Sequence, residues 1–417
     1  MPDREALSFT WAEELNVESL KQFQSVFYLN SNQKSQKNYL AIGELERLRN
    51  PSFEALEKMV ETKKDWAFGF ISYDAKNQLE DLSSINLSSH KVPELVFIIP
   101  ELVFEWQGNS GVAHYNQEST SLGRVKEVLE CISTREKSSN QHHSLTFFPR
   151  ISKEQYIKKV EELKSEIQYG NIYEINYCQE FYSPQAINPY KTYENLNSIS
   201  PTPYSCFVHV NDFYLLCASP EQFMEKKGNR LTSKPIKGTI KRSPNKKEDE
   251  ELKTKLYRSE KDRSENVMIV DLVRNDLAKS AKLGSVRVDE LFGIYSFPQV
   301  HQMISTVSST LDEGQNGVQA IKHAFPMGSM TGAPKIKAME LIEKEENFKR
   351  NLYSGSVGYF KPDGDFNFNV VIRSLFYDTK QPLLTFSVGG AITDGSDPLD
   401  EYNESLLKAK AIFDIFS

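Results

Sequence analysis

Strand-like runs cluster along this 417-residue chain instead of alternating with helices. Tyr204 to Val210, Phe213 to Ala218 and Gln222 to Glu225 follow one another across turn-sized gaps, and Gly228-Asn229 reads as a hairpin turn. Further runs stand at Ser25 to Leu29, Trp66 to Tyr73, Leu95 to Ile99, Gly355 to Phe360, Phe366 to Phe376 and Leu384 to Val388. Such clustering predicts an α+β fold, a large β-sheet core with outer helices, over a doubly wound parallel sheet. Three helices are clear. Ser152 caps the first with Gln155 closing a capping box, Tyr156, Val160, Leu163 and Ile167 line its face, and Gly170 ends it. The others run from Ser259 to Leu277 and from Leu399 to Phe416.

Composition excludes several classes. Hydrophobic residues make up 39% and charged residues 26%, enough for a sizeable core and too apolar for a disordered chain. A net charge of −7 argues against a general nucleic-acid binder. The four cysteines form no Cys-x-x-Cys pair, so reduced thiols are expected. The greasiest stretch, Leu95 to Trp106, is broken by Pro100, Glu101 and Glu105 and is too short to span a bilayer. It reads as two strands around a turn. The charged start, Met1-Pro2-Asp3-Arg4-Glu5, has no apolar core, so no signal peptide is expected and a cytoplasmic location is.

Two acid pairs stand out. Asp262 and Glu265 lie three apart on one predicted helix and share a face that Ile269 and Leu272 extend. On the last helix Asp397 caps, Pro398 leads, and Glu401, Glu404 and Lys408 align. Four carboxylates on two helices can converge on one magnesium ion, directly and through water. The alternative is two solvated faces in a chain with 57 acids.

Lys237 sits in Lys234-Pro235-Ile236-Lys237-Gly238-Thr239, after a hairpin, where proline and glycine fix the backbone. Desolvation would lower its pKa and make it a nucleophile. The alternative is a surface lysine in the basic run 234–247. Glu221, in Ser219-Pro220-Glu221, ends a strand as a candidate acid or base. The segment Gly328 to Lys335, which holds Thr331, reads as an anion-binding loop entering a helix. Gly389-Gly390 offers bare amides after a strand, and Arg373 projects from a strand-like run toward a carboxylate. Together these suggest a pocket for a small ligand with more than one carboxylate; turn chemistry and surface charge are the plain alternatives. Of seven histidines only His301 is suggestively placed, and a structural role for it stays open. No cysteine lies in a Gly-x-Cys-x-Gly elbow, so no glutaminase is expected within the chain.

From about Tyr156 onward these segments resemble the chorismate-utilising enzymes. The resemblance is carried by Lys261-Asp262-Arg263-Ser264-Glu265-Asn266 and the residues to Leu277, by Thr331-Gly332-Ala333-Pro334-Lys335, and by Ser396-Asp397-Pro398 with Glu401, Tyr402 and Glu404. Gly69 to Asp74 is a weaker match in the first third. Within the family, Pro235-Ile236-Lys237-Gly238-Thr239 is similar to the aminodeoxychorismate synthase component I branch, whereas anthranilate synthases usually carry alanine at the lysine. The resemblance implies the anthranilate synthase component I-like fold, with residues 1–132 as an N-terminal portion integrated into it and 145–417 as the chorismate-binding catalytic portion. The polar run 133–144 is the linker between them.

The resemblance also implies roles. Lys237 attacks C2 of chorismate as C4 loses its hydroxyl, Glu221 serves that hydroxyl, and His301 is the active-site histidine. Glu265 and Glu404 ligate magnesium, with Asp262 and Glu401 in its water shell. Arg373 and Tyr353 clamp the pyruvyl carboxylate. Thr331, Gly389 and Gly390 are further substrate contacts, and Lys408 lies beside the metal pair. Ammonia from a separate glutamine amidotransferase adds at C4, pyruvate is not lost, and a separate lyase finishes 4-aminobenzoate for folate synthesis. No Leu-Leu-Glu-Ser signature stands near Phe27 to Ser31, so no inhibition by tryptophan is expected. Anthranilate synthesis, or a non-catalytic subunit that only binds an amidotransferase, are the competing readings.

Overall fold

The computed structural model describes residues 4–11, 15–48, 51–133, 144–297 and 300–416. Among these, two antiparallel sheets of twelve and ten strands carry the fold. The larger runs from Arg4–Thr10 through Ser110–Asn116, Leu102–Gln107, Asn38–Ile42, Ser25–Asn30, Tyr204–Val210, Phe213–Ser219, Ser374–Asp378 and Leu383–Ile392 to Glu174–Ser183 and Gly332–Ala333. The smaller joins Ile236–Lys241, Val300–Thr310, Arg230–Lys234, Gln222–Lys227, Phe366–Asn369, Ser356–Phe360, Ala67–Ile71, Leu95–Ile99 and Glu46–Arg47. Strands from the first hundred residues therefore pair directly with later ones: Ser25–Asn30 with Tyr204–Val210, and Ala67–Ile71 with Ser356–Phe360.

Side-chain alternation along each strand explains the layers. Phe27 and Ala41 point into a core between the two sheets, with Phe68, Phe223, Leu231 and Phe368. Their neighbours Val26, Tyr28, Leu40 and Ile42 face a second core under the helices Leu122–Ser133 and Pro189–Ile199. A third cluster seats the helices Lys153–Gln168 and Lys335–Glu345 on Ile175 and Tyr177. The predicted stripe Tyr156, Val160 and Leu163 is buried there, with Ile167 packed at its edge, and Ser152 and Gln155 form the capping box. No helix among the described residues is long and apolar enough to cross a membrane.

Three expectations are corrected. The run Phe366 to Phe376 is two strands in different sheets, because the chain crosses over at residues 370–373. Leu95 to Trp106 is two strands, but they too join different sheets and make no hairpin. The last helix breaks into Pro398–Lys408 and Lys410–Asp414. The expected linker falls largely on 134–143, outside the described residues.

Gly332 shows why glycine is needed at one point. Its φ is +151°, and a Cβ there would stand 2.2 Å from the carbonyl of Glu174. Gly332→Ala forces the loop off the Glu174 strand. We expect it to cost about 1–3 kcal/mol of stability, read by urea denaturation.

Candidate active site

The two sheets exchange chain at neighbouring points, and the exchanges bring the candidate side chains together. Phe213–Ser219 lies in the larger sheet and Gln222–Lys227 in the smaller, so Pro220-Glu221 is a crossover. The adjacent return crossover holds Arg373, and the two are tied by the Val370 amide donating to the Glu221 carbonyl at 3.0 Å. Arg373 has φ +52°, a costly conformation for a side-chain-bearing residue. It thus leaves the break between strands and not a strand face, as the sequence had suggested. Burial pushes the Glu221 carboxyl up to about 7, opposed by Ser329, Lys237 and Arg373. Burial in turn lowers the Arg373 guanidinium, which Glu221 partly restores.

That shift has a stability consequence. The folded state holds a proton on Glu221 that the unfolded chain, near 4.5, has released. The Glu221 contribution is therefore complete below 4.5 and is lost as pH rises through about 7. Melting temperatures of the wild type and Glu221→Gln across this window check it: the variant loses less.

Lys237 lies in strand Ile236–Lys241, which is irregular where it pairs with Val300–Thr310. Gly238 takes φ +86° there, which suits a bulge, and Asp262 packs against it 2.9 Å from where a Cβ would be. The buried Lys237 ammonium donates to Glu174 Oε1 at 2.6 Å. Burial alone would lower its pKa, as expected from the sequence. Glu174, Glu265 and Glu221 together outweigh burial, and the net shift is upward. Lys237 is therefore held as an ammonium and must hand a proton over before it can attack anything.

Ser259 caps helix Glu260–Ala278 by accepting from the Asp262 amide, and Asp397 caps Pro398–Lys408. The two helices meet at Lys261, whose Nζ lies 3.4 Å from Glu401 and 4.0 Å from Glu265. Glu401 also accepts from Ser396 at 2.7 Å. Glu404 pairs with Lys408 at 2.9 Å, which lowers its carboxyl. Burial raises the Glu265 carboxyl to about 7, with Glu174 adding to the rise and Lys237 and Lys261 opposing it. Among the described residues no three His, Cys, Asp or Glu side chains stand grouped as a metal cage. The donors nonetheless fit a hard cation. All are carboxylates, and one buried oxygen each of Glu265 and Glu174 lacks a hydrogen-bond donor.

The glycine strand sits beside these acids. Lys408 donates to the Gly389 carbonyl at 3.0 Å, and a Cβ on Gly390 would stand 3.2 Å from Glu401 and 3.5 Å from Lys408. Thr331 is buried, with its hydroxyl on the carbonyls of Met327 and Gly328. His301 and Tyr353 make their contacts outside the cluster. His301 has both ring nitrogens engaged, by Ser296 at 2.8 Å and by Asp249 at 3.0 Å, and Asp249 is itself forked onto Arg242. Tyr353 is buried with its hydroxyl 3.6 Å from Cys178 Sγ, not paired with Arg373.

Sequence reasoning missed Glu174, the residue closest to the Lys237 amine. Its signal was a lone acid inside the apolar run Ile172 to Cys178. It also missed Arg350 and Glu346, a buried pair at helical spacing. Arg350 donates to the carbonyls of Met330 and Asn176, each at 2.7 Å. It so ties the Ser329–Thr331 loop to the strand that carries Glu174.

The chorismate binding enzyme family matches residues 8–414. Aminodeoxychorismate synthase component 1 of Bacillus subtilis (strain 168) is 34% identical over 359 residues, 83% of this chain and 76% of that protein. Anthranilate synthase component 1 of Saccharolobus solfataricus is 32% identical over 350 residues, 84% of this chain and 80% of that one. The crystal structure of anthranilate synthase component I from Streptococcus pneumoniae superposes with a TM-score of 0.78 at 24% identity, covering 99% of this chain and 93% of that one. That likeness shows the expected fold. With residues 8–414 matched by the family, this chain belongs to the chorismate-binding enzymes.

Proposed function

We propose that the chain is an aminodeoxychorismate synthase component 1. It converts chorismate and ammonia to 4-amino-4-deoxychorismate, with ammonia supplied by a separate glutamine amidotransferase. The observation that carries this reading is the buried Lys237 beside Glu174 and near the raised carboxyl of Glu221. Two bacterial relatives bearing that name support it, as does a plant relative named aminodeoxychorismate synthase. Magnesium is the proposed cation, held by Glu265 and Glu404 with Asp262 and Glu401 around its waters. When bound it neutralises the ring carboxylate and draws charge toward it.

The residues supply the rest. Lys237 passes a proton to Glu174, and its amine bonds to C2 while the ring double bonds shift and the C4–O bond breaks. Glu221 gives its proton to the departing hydroxyl, which leaves as water. Ammonia then bonds to C4, the double bonds shift back, and the bond from C2 to Lys237 breaks. The new C4 ammonium returns a proton to Glu221, and Lys237 retrieves its own from Glu174. Arg373 is the fork for a substrate carboxylate.

Purified protein with chorismate, magnesium chloride and ammonium chloride tests this. The main product should be 4-amino-4-deoxychorismate by mass detection, and chelation should stop turnover. Anthranilate fluorescence as the main signal would instead establish the ortho-aminating reaction. Because Glu221 acts first as an acid, kcat should fall as pH rises above about 7. Glu221→Gln should lower kcat by about 10²–10⁴-fold and flatten that limb.

A further inference from the structure

Lys261 sits where its own helix gives it little reason to be. It is the second residue of Glu260–Ala278, at the positive end of the helix dipole. Its spacing to Glu265 runs in the weaker order, with the lysine first. Its stronger partner lies across the gap, on helix Pro398–Lys408. The Nζ stands 3.4 Å from Glu401 Oε1 and 4.0 Å from Glu265 Oε1, and that Glu265 oxygen is buried without a hydrogen-bond donor.

The ammonium is loosely anchored. Its side chain is 54% exposed, and among the described residues it hydrogen-bonds to Glu401 alone. Lys408, the other ammonium beside these acids, is 35% exposed and is tied to the Gly389 carbonyl as well as to Glu404. Burial would lower the Lys261 pKa, but Glu401, Glu265 and Glu404 outweigh burial and keep it charged. Magnesium takes carboxylate oxygens at about 2.0–2.1 Å. On these same oxygens it would stand within a few ångströms of the Lys261 Nζ, where the two positive charges repel strongly. The flexible lysine stem lets the ammonium swing into water at little cost.

Resting on the reading that magnesium binds these carboxylates, we propose that Lys261 is a tethered counter-ion, bridging the two acid helices until magnesium displaces its ammonium into solvent. No covalent bond changes; one cation replaces another on shared oxygens. Before the metal arrives, the lysine offsets the repulsion between Glu265 and Glu401. It also sets the metal affinity below what the acids alone would give, because each binding event breaks the lysine's contacts.

Calorimetric titration of the chelator-treated full chain with magnesium chloride, without chorismate, tests this. Lys261→Met keeps the stem and removes the charge. It should tighten the magnesium Kd by about threefold to tenfold, the worth of one or two partly exposed ion pairs. Arg263→Met is the control. It removes an equal charge two residues on, from a guanidinium stacked on Phe292 at 4.7 Å and Tyr257 at 5.9 Å. It should move the Kd by less than about twofold. In chelator, Lys261→Met should melt below the wild type, and saturating magnesium should close that difference. An unmoved or weakened Kd in Lys261→Met overturns this inference. Equal tightening in both variants also overturns it, since overall charge would then be the cause. Either result leaves magnesium binding standing. A wild type that binds no magnesium overturns the magnesium reading, and this inference with it.

Discussion

Lys237→Ala should lower 4-amino-4-deoxychorismate formation by about 10³-fold or more. The substitution removes the amine that the proposed reaction bonds to C2, and among the described residues no second lysine hydrogen-bonds Glu174. It also strands Glu174, which is 1% exposed and already has one oxygen without a donor. An uncompensated buried carboxylate costs several kcal/mol or takes up a proton. Loss of activity could then follow from loss of fold, so the design needs a control. The double variant Lys237→Met with Glu174→Gln removes both charges, should regain most of the stability, and should stay inactive. Turnover with chorismate, ammonium and magnesium beside a denaturation curve separates the two effects. Undiminished turnover in Lys237→Ala would sink the nucleophile role.

Arg350→Met carries the largest expected stability effect, about 3–5 kcal/mol. Arg350 and Glu346 are each 1% exposed at the side chain and are joined by two contacts, at 2.5 and 2.9 Å. Glu346 also accepts from the Cys178 amide at 2.9 Å. Truncating the arginine leaves Glu346 charged and unpaired, and leaves the carbonyls of Met330 and Asn176 without this donor. A second change, Glu346→Leu, should not restore stability, because the Cys178 amide then loses its acceptor too. Urea denaturation midpoints of the two variants check this, and a loss under about 1 kcal/mol in Arg350→Met would refute the clamp.

The legible parts were those set by local chemistry. Ser152 and Asp397 announced their helices because a cap is satisfied within three residues. The strands Tyr204–Val210 and Leu383–Ile392 announced themselves through apolar content and flanking turns. The illegible parts were partnerships across distance. The resemblance made His301 the active-site histidine, and no local pattern showed that Asp249 and Ser296 engage its nitrogens. Desolvation alone suggested a lowered Lys237 pKa; three carboxylates from distant segments reverse the sign. Phe366 to Phe376 read as one strand because a change of sheet leaves the apolar pattern unbroken.

By itself, the sequence determined the α+β class, the helix bearing Asp262 and Glu265, the helix bearing Glu401 and Glu404, and the lysine between proline and glycine. Periodicity, capping and turn chemistry act within a few residues, so they are written in order along the chain. Only the tertiary structure decided that Glu174 faces Lys237, that Lys261 bridges the two acid helices, and that Glu221 and Arg373 stand at adjacent crossings. Those pairings join residues up to about 150 positions apart, and what selects them is the burial of the apolar faces of both sheets.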